Sequence, residues 1–421
     1  MFKNIILKNL KFVLTVLTKI KFEFVISTYL TYLIKKNNKN IFKSKSNLLV
    51  FEKPRFNIDI DALSKYTKTT CLILPINISV LLGKIFLPEE IRGQHKYHKL
   101  TSDRNQKLKL EYRLFLKKIL PNIFQQLNID GIIVGNMDYW EHQEWSWVGQ
   151  EVGVPTIVLY RESVGWEERN KRLQKHYSNL DYTLPISKLV VFGPETKAWM
   201  DQTDVTAKEN IVFTGAPRTD FYYHADENTN SLDKNLIVLF DFISEKYSSS
   251  TTPIEVLKEF VKLSNENPDF EYLIKTKEDI YKSVLLEKIA SLNLSTENIL
   301  IDSDYKFTDV LKNAKIIIGY MRSTVMLESM IANAHIILPV WGDLVDEDTE
   351  ISIKEDKLGE IYKISDKNLF LETINNILLT ESFPLRKEIK EIRQKYIYKN
   401  LYKIDGRSSE RFSDVIKNLL T

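Results

Sequence analysis

The polar residues best suited to bind a ligand lie in IIIGYMRSTVMLESMIANAHIILPV, residues 316–340, between two apolar runs. Arg322, Ser323 and Thr324 follow the first run, where a helical pattern begins. The first amides of a helix and the fork of an arginine both bind phosphate oxygens. Glu328 shares a helix face with Thr324, and a carboxylate there can accept hydrogen bonds from both hydroxyls of a ribose. The pattern predicts a nucleotide site; the alternative is a capped helix whose Glu328 only pairs with Arg322.

Further basic side chains follow other predicted strands or lie on the last predicted helix. They are Lys275 and Lys277 in LIKTK, Arg218 beside Gly215 in VFTGAPRTDF, and Arg407 and Arg411 in DGRSSERF. Several cations that meet at one edge of a sheet suit a diphosphate or monophosphate leaving group. Gly215, Arg218 and Lys275 are therefore predicted to bind the nucleotide with the residues of the first stretch.

Carboxylates in the first half of the chain could deprotonate a hydroxyl. Asp138 comes first after the predicted strand 131–134, and Glu162 comes first after the predicted strand 155–159, so these two are the predicted bases. The neighbouring acidic residues Glu144, Glu167 and Glu168 are expected on solvated helix faces. His142 is expected on a helix surface rather than as a base.

Four of the six tryptophans fall in the same region, namely Trp140, Trp145, Trp147 and Trp166. Aromatic faces can stack on sugar rings, although packing in the core is the commoner fate of tryptophan. Trp140 and Trp166, together with Arg161, are the predicted acceptor contacts.

Short apolar runs alternate with helical patterns along most of the chain. A first series of runs covers residues 48–52, 71–75, 131–135, 155–160 and 188–193. A second series covers residues 236–240, 270–275, 298–301, 315–320 and 335–340. Alternation of strands and helices predicts parallel sheets with helices on both faces. The predicted fold class is α/β, with two Rossmann-like domains that face a central cleft.

The predicted domain boundaries follow these two series. Residues 47–217 are expected to form an N-terminal Rossmann-like domain that takes the acceptor. Residues 218–395 are expected to form a C-terminal Rossmann-like domain that takes the nucleotide, and residues 396–421 a closing helix. The polar, turn-rich segment 214–235 is the predicted linker.

The composition excludes several classes of protein and site. The single cysteine, Cys71, allows no internal disulfide and no zinc site built on paired cysteines, and the six histidines are scattered. The Asp-x-Asp triplets at 59–61, 302–304 and 346–348 lie outside any metal-binding pattern, so no metal is predicted. Residues 1–46 carry ten lysines and one glutamate, which leaves the rest of the chain mildly acidic and unsuited to nucleic acid.

Residues 1–46 are predicted to form a basic amphipathic helix that lies on an anionic membrane. The longest lysine-free stretch, residues 22–34, is too short to span a bilayer, and no small-residue cleavage site follows it. The alternative is a long helix that caps the first domain and keeps its lysines in water.

Three segments carry a resemblance to a known family: TGAPRTD (214–220), DVLKNAKIIIGYMRSTVMLESMIANAHIILPV (309–340) and DGRSSER (405–411). They resemble the C-terminal half of GT-B-fold glycosyltransferases of bacterial surface-polysaccharide synthesis. The likeness is greatest to the branch shared by CDP-glycerol glycerophosphotransferases, capsule polysaccharide transferases and sugar-nucleotide epimerase-like proteins. It extends from about residue 188 to residue 411.

The resemblance implies roles for individual residues. Ser323 and Thr324 would meet the donor phosphates and Glu328 the ribose, while Lys275 stands where the family often has a basic residue or a His-Pro pair. It assigns no base, because LYRESVGWEE (159–168) occupies the place of the family's histidine motif.

The expected function is that of a metal-independent glycosyltransferase without a cofactor. It would move a sugar from a nucleotide-sugar donor to a hydroxyl of a surface polysaccharide or lipid-linked acceptor, in the cytoplasm or on the inner face of the plasma membrane. The alternatives are a glycerophosphate-type phosphotransferase, a sugar-nucleotide epimerase, or a non-catalytic scaffold of a polysaccharide assembly complex.

Overall fold

The structure is a computed structural model. It describes residues 16, 18, 22–37, 46–51, 57–92, 97, 102–137, 139–161, 167–179, 184–226, 234–241, 251–320, 324–342, 361–379, 385 and 387–420. Five predicted site residues lie outside this part of the chain: Asp138, Glu162, Trp166, Arg322 and Ser323. So do the side chains of Thr324, Glu167 and Glu168, and most of the predicted N-terminal helix before Phe22.

The chain divides into two compact units, and the last helix belongs to the first of them. The first unit comprises residues 1–163, 172–220 and 401–421, and the second comprises residues 164–171 and 221–400. The chain therefore passes from the first unit to the second after Asp220 and returns to the first at Leu401.

The first unit contains a six-stranded parallel sheet in the order β2-β1-β3-β4-β5-β6. Its strands are β1 (Ser46–Phe51), β2 (Thr69–Leu74), β3 (Ile129–Val134), β4 (Thr156–Leu159), β5 (Lys188–Val191) and β6 (Ile211–Phe213). Four consecutive side chains of β1, from Leu48 to Phe51, are buried. Since successive side chains of a strand point to opposite faces, the sheet is covered on both sides, as the continuous apolar runs predict.

Helices of the first unit connect and cover these strands. They are α1 (Glu23–Asn37), α2 (Asn57–Tyr66), α3 (Ile76–Phe86), α4 (Asp103–Leu127), α5 (Trp140–Glu151), α6 (Glu167–Ser178), whose first residues fall in the second unit, and α7 (Pro194–Met200). The longest, α4, starts where the Ser102 hydroxyl accepts from the Asn105 amide and ends at Asn128 in the left-handed conformation. Both are ordinary start and stop signals for a helix, and they account for its two ends.

The second unit contains another six-stranded parallel sheet, in the order β12-β11-β10-β7-β8-β9. Its strands are β7 (Leu236–Phe240), β8 (Glu271–Lys275), β9 (Ile299–Asp302), β10 (Ala314–Ile318), β11 (His335–Pro339) and β12 (Ile361–Ile364). The helices that follow β6 in the chain are α8 (Thr219–Asp226), α9 (Thr252–Glu266), α10 (Asp279–Ser291), α11 (Phe307–Asn313), α12 (Thr324–Ser329), α13 (Asn368–Leu379), α14 (Lys387–Leu401) and α15 (Ser408–Leu420). Two α/β units with parallel sheets confirm the predicted α/β class with two Rossmann-like domains.

Helix α12, which begins where the sequence predicts a helix, has only six residues. It ends at Ser329, and the next amides, those of Met330, Ile331 and Ala332, donate to carbonyls three residues back. Such tight turns end a helix.

Helix α1 packs one face on the first unit and exposes the other. Ile26, Leu30 and Ile34 recur every four residues and are fully buried in the core of that unit. This contact agrees with the interpretation of a helix that caps the first domain. On the opposite face, Phe24 and Tyr32 are 73% and 57% exposed. No helix in the described part of the chain is long and apolar enough to cross a membrane.

Candidate functional site

The strand order of the second unit reverses between β7 and β10. β8 and β9 extend the sheet on one side of β7, whereas β10, β11 and β12 extend it on the other. In doubly wound sheets a ligand binds beyond the carboxyl ends of the strands at such a reversal. Asp241 follows β7, while Gly319 and Tyr320 follow β10, and the chain then runs through residues 321–323 into α12. Arg322 and Ser323 therefore follow a strand that borders the reversal.

Two titratable side chains at this edge are buried. Tyr320 and Asp241 are each less than a tenth exposed. Burial, and after it the negative charge of Asp241, raises the pKa of Tyr320 well above its ordinary value. The phenol is thus neutral at physiological pH and remains a hydrogen-bond donor.

Close packing holds α12 against the end of β10. A Cβ atom on Gly319 would collide with the sulfur of Met326, which is buried on α12. A side chain at position 319 would therefore require the Met326 side chain to move.

Glu328, the predicted ribose ligand, is a buried residue of α12. Its Oε2 atom accepts a hydrogen bond of 2.6 Å from the hydroxyl of Tyr222 on α8. Tyr222 is also buried, and its ring meets the ring of Phe307 edge to face at 5.4 Å. Sequence reasoning missed Tyr222, because it lies in the segment 214–235 that reads as a linker.

Lys275 lies at the end of β8, the neighbour of β7. Its ammonium group donates to the carbonyl oxygens of Thr276 and Ser303, so it joins the turns that follow β8 and β9. Burial lowers the pKa of Lys275, although Asp302 and Asp304 act in the opposite direction. The predicted phosphate cation is thus half-buried and already donates to the protein.

Gly215 belongs to a structural clasp in the first unit, formed by residues 214–220 and the start of α15. Its φ of +87° favours glycine, and a Cβ atom there would meet the Ser408 hydroxyl and the Leu401 carbonyl oxygen. The two carboxylate oxygens of Asp220 accept from the amides of Ser408 and Ser409, at 2.9 and 2.7 Å. A protein carboxylate therefore caps α15 at its N-terminus.

Arg411 completes this clasp. Its guanidinium donates to the Thr214 carbonyl oxygen, the Ser408 hydroxyl and both oxygens of Asp405. Arg407 is exposed and pairs with Glu410. The prediction that Arg411 joins a phosphate-binding group of cations is wrong, because its donors hold the C-terminal helix in place.

Arg218 and Arg161 meet around one carboxylate that sequence analysis had dismissed. Asp59 of α2 is fully buried, and its Oδ2 atom lies 3.2 Å from Arg218 and 3.3 Å from Arg161. The backbone amide of Arg218 donates to the other oxygen. The sequence signal for Asp59 is an acidic residue among the apolar positions of a helix, and the metal-pair interpretation of the triplet DID does not use it.

The strand order of the first unit reverses between β1 and β3, since β2 lies on the other side of β1. Asn136 and Met137 follow β3 and are buried, and the Gln143 side chain donates to the Met137 carbonyl oxygen. Asp138, the next residue, therefore follows a strand at the reversal. Glu162 follows β4, one strand further away.

Two predictions for α5 are wrong. His142 is 1% exposed and lies beside the ring of Phe51 at 4.5 Å, so it is not a surface histidine. Glu144 is fully buried rather than solvated, because Arg113 and Tyr97 supply its ionic and hydrogen-bond partners.

The tryptophans of α5 are packed to different degrees. Trp145 is buried and donates to the Tyr112 hydroxyl at 2.9 Å, and Trp147 lies under the guanidinium of Arg113. Trp140 is partly exposed, and its ring rests on Gly83 of α3. Trp140 thus packs one part of its ring on Gly83 and leaves another part exposed.

Comparison with known proteins identifies the fold. No family model and no curated protein matches the sequence. Among solved structures, a variant of the wall teichoic acid polymerase TagF is similar, with a TM-score of 0.52 and 11% identity over 97% of both chains. A second TagF structure, soaked with CDPG, has a TM-score of 0.51 and 12% identity over 98% of both chains.

A further similar structure is the glycotransferase of kitacinnamycin. Its TM-score is 0.50 and its identity 10%, over 90% of this chain and 100% of that one. At these identities the likeness concerns the fold alone. The two parallel six-stranded α/β units and these similarities show that the chain has the GT-B fold.

Proposed function

We propose that the protein is a metal-independent glycosyltransferase, which moves a sugar from a nucleotide-sugar donor to a hydroxyl of a surface polysaccharide or lipid-linked acceptor. The observation that carries the proposal is the reversal between β7 and β10, directly before Arg322, Ser323 and Thr324 in the chain. The buried carboxylate of Glu328 on the next helix supports a ribose contact.

The second unit binds the donor in this proposal. Arg322, Ser323 and Thr324 bind the phosphates, Glu328 binds the ribose, and Lys275 adds positive charge. Because α12 has only six residues, its dipole is small, and the arginine fork and the hydroxyls provide most of the phosphate affinity.

The first unit supplies the base and the acceptor contacts. The acceptor oxygen forms a bond to the anomeric carbon of the sugar, while the bond from that carbon to the phosphate oxygen breaks. The proton of the acceptor passes to a carboxylate, and the nucleotide leaves with the bonding electrons. Asp138 is favoured over Glu162 for this role because β3 borders the reversal of the first sheet.

Acceptor contacts come from Arg161, Trp140 and Trp166 in the same proposal. The partly exposed ring of Trp140 supports a stacking contact with a sugar. Gly215 and Arg218 act indirectly on the nucleotide, since they fix the segment 214–220 through which the chain enters the second unit.

A glycerophosphate-type phosphotransfer is the second candidate. It is supported by the likeness to TagF, a polymerase whose crystal was soaked with CDPG. In that reaction the acceptor oxygen would attack phosphorus and a nucleoside monophosphate would leave. The nucleobase of the donor distinguishes phosphotransfer from glycosyl transfer.

A thermal-shift screen with UDP, GDP, CMP and CDP tests the proposal. A ligand at about 100 times its Kd adds ~2.7 kcal/mol to the free energy of unfolding, so one of these nucleotides is expected to raise the Tm by several degrees. Glu328→Ala is expected to remove most of that shift. Glu372→Ala, an exposed glutamate of α13, is the matched control.

The outcomes of the screen are distinct. Stabilisation by CMP or CDP favours phosphotransfer, and stabilisation by UDP or GDP favours glycosyl transfer or an epimerase, which would turn over soluble sugar nucleotide without an acceptor. A full response in Glu328→Ala would refute the ribose assignment. If no nucleotide stabilises the protein, the enzyme proposal fails and a scaffold remains.

The base is tested by comparing Asp138→Asn with Glu162→Gln. The base variant is expected to lower kcat by about 10²–10⁴-fold while it keeps the thermal response to the nucleotide, because the carboxylate acts on the acceptor. Equal activity of both variants and the wild type would exclude both carboxylates.

A further inference from the structure

The carboxylate of Glu328 is held by a residue from another helix. The Tyr222 hydroxyl donates to Oε2 of Glu328 at 2.6 Å, and both side chains are buried, Tyr222 at 5% and Glu328 at 7% exposure. The two residues lie 106 positions apart in the sequence, so only the folded unit brings them together.

Tyr222 is itself fixed in place. Its ring contacts Phe307 at the start of α11 edge to face, and Phe307 contacts Phe240, the last residue of β7, with ring centroids 6.0 Å apart. This aromatic chain connects the phenol to the end of the strand at which the order of the second sheet reverses. Rotation of the Tyr222 ring would therefore disturb the packing at that edge.

A carboxylate offers about four acceptor positions on its two oxygens, and the phenol uses one of them. A hydrogen bond to one oxygen restrains rotation about the terminal bond of the Glu328 side chain. A ribose presents two neighbouring hydroxyls, and binding both requires the plane of the carboxylate to have one orientation. Loss of the restraint thus costs affinity only for ligands that use both hydroxyls.

We propose that Tyr222 is a positioning residue, which orients Glu328 to accept from the two ribose hydroxyls, so that the site selects ribonucleotides over 2′-deoxynucleotides. This inference rests on the proposed nucleotide-binding function. It adds a specificity that the presence of Glu328 alone does not establish.

Calorimetric titration of the full chain with UDP, CDP and their 2′-deoxy counterparts tests the proposal. The wild type is expected to bind the ribonucleotide about tenfold more tightly than the deoxynucleotide. Tyr222→Phe is expected to weaken ribonucleotide binding by about fivefold to tenfold and to leave the 2′-deoxynucleotide affinity unchanged. Tyr223→Phe, the same change at the next position of α8, is the control.

The double variant Tyr222→Phe/Glu328→Gln is expected to bind no more weakly than Glu328→Gln alone, since Tyr222 acts through that carboxylate. Equal weakening of both kinds of nucleotide by Tyr222→Phe, or additive losses in the double variant, would show a merely structural role and overturn the inference. If Tyr222→Phe does not fold, two other results would still overturn the inference. One is a wild type that binds ribonucleotides and 2′-deoxynucleotides equally well, and the other is a Glu328→Gln variant that keeps the preference for ribonucleotides. No binding by the wild type would instead reject the proposed function.

Discussion

At the scale of single residues, the first unit depends on a buried carboxylate with two arginines. Asp59 is fully buried, and it holds Arg161 and Arg218 as well as the Arg218 backbone amide. A buried charge is tolerated only when partners replace its water, and removal of one partner leaves the others uncompensated. Asp59 thus stabilises the unit and orients one arginine that is proposed to contact the acceptor.

Replacing Asp59 by asparagine is expected to lower the free energy of unfolding by about 3–5 kcal/mol, because the buried guanidinium of Arg218 and the half-buried one of Arg161 lose their counter-charge. Urea denaturation measures this loss. Asp61→Asn, at an exposed position of the same helix, is the control and is expected to change stability by less than about 0.5 kcal/mol. Equal effects of the two substitutions would contradict this role for Asp59.

Gly215 provides a second prediction at the residue scale. Gly215→Ala is expected to cost about 2–4 kcal/mol, since alanine is strained at a φ of +87° and its methyl group would meet Ser408. Gly153→Ala is the matched control, because Gly153 has a φ of +80° and open space around a Cβ atom. Its cost is expected to be only ~1 kcal/mol. Similar losses in the two variants would mean that packing against Ser408 contributes nothing.

At the scale of elements, α1 has two apolar faces with different surroundings. Ile26, Leu30 and Ile34 are buried in the first unit, while Phe24 and Tyr32 are exposed, and Lys35 and Lys36 lie in the last turn of the helix. One core contact does not require apolar residues on both faces. An anionic membrane would cover the aromatic side chains and attract the lysines, which agrees with a lipid-linked acceptor.

Reversing the charge of Lys35 and Lys36 to glutamate is expected to weaken binding to phosphatidylglycerol-containing vesicles by at least about tenfold, as each lysine near an anionic surface contributes about 1 kcal/mol. Phe24→Ser is expected to weaken it further by removing apolar contact. Vesicle sedimentation measures the binding. Ile280→Ser, an equally apolar and exposed position on α10, is expected to leave it unchanged. Unaltered binding of the lysine variant would argue against a membrane role for α1.

At the scale of the whole molecule, the order of elements along the chain differs from their division into units. The chain completes the second unit and then returns α15 to the first, where Asp220 caps it and Arg411 ties it to Thr214. Stability of the first unit therefore depends on the last residues of the chain.

Asp220→Ala is expected to destabilise the first unit by about 1–2 kcal/mol through loss of the helix cap. Hydrogen exchange read by mass spectrometry should show faster exchange in peptides from β1, β6 and α15, with unchanged protection in β7 and β10. Asp414→Ala on the same helix, which removes only an exposed pair with Lys417, is the control. Equal acceleration in both units would contradict the division described above.

Much of the fold could be predicted because long continuous apolar runs signal buried parallel strands without reference to their neighbours. Two strands were missed for physical reasons. β6 has only three residues, and β12 includes a lysine between its apolar positions, so neither gives a clear periodic signal. Neighbouring strands complete the backbone hydrogen bonds of β6 and β12, and a short stretch of sequence carries no information about those neighbours.

The sequence by itself determined that Arg322, Ser323 and Thr324 follow a buried strand, since that placement depends only on local order along the chain. Only the tertiary structure decided that Tyr222 holds Glu328, that Asp59 joins Arg161 to Arg218, and that Arg411 anchors a helix. These partners are separated by about a hundred positions or more, and the order of strands within each sheet selects them. Local propensity carries no information about that order.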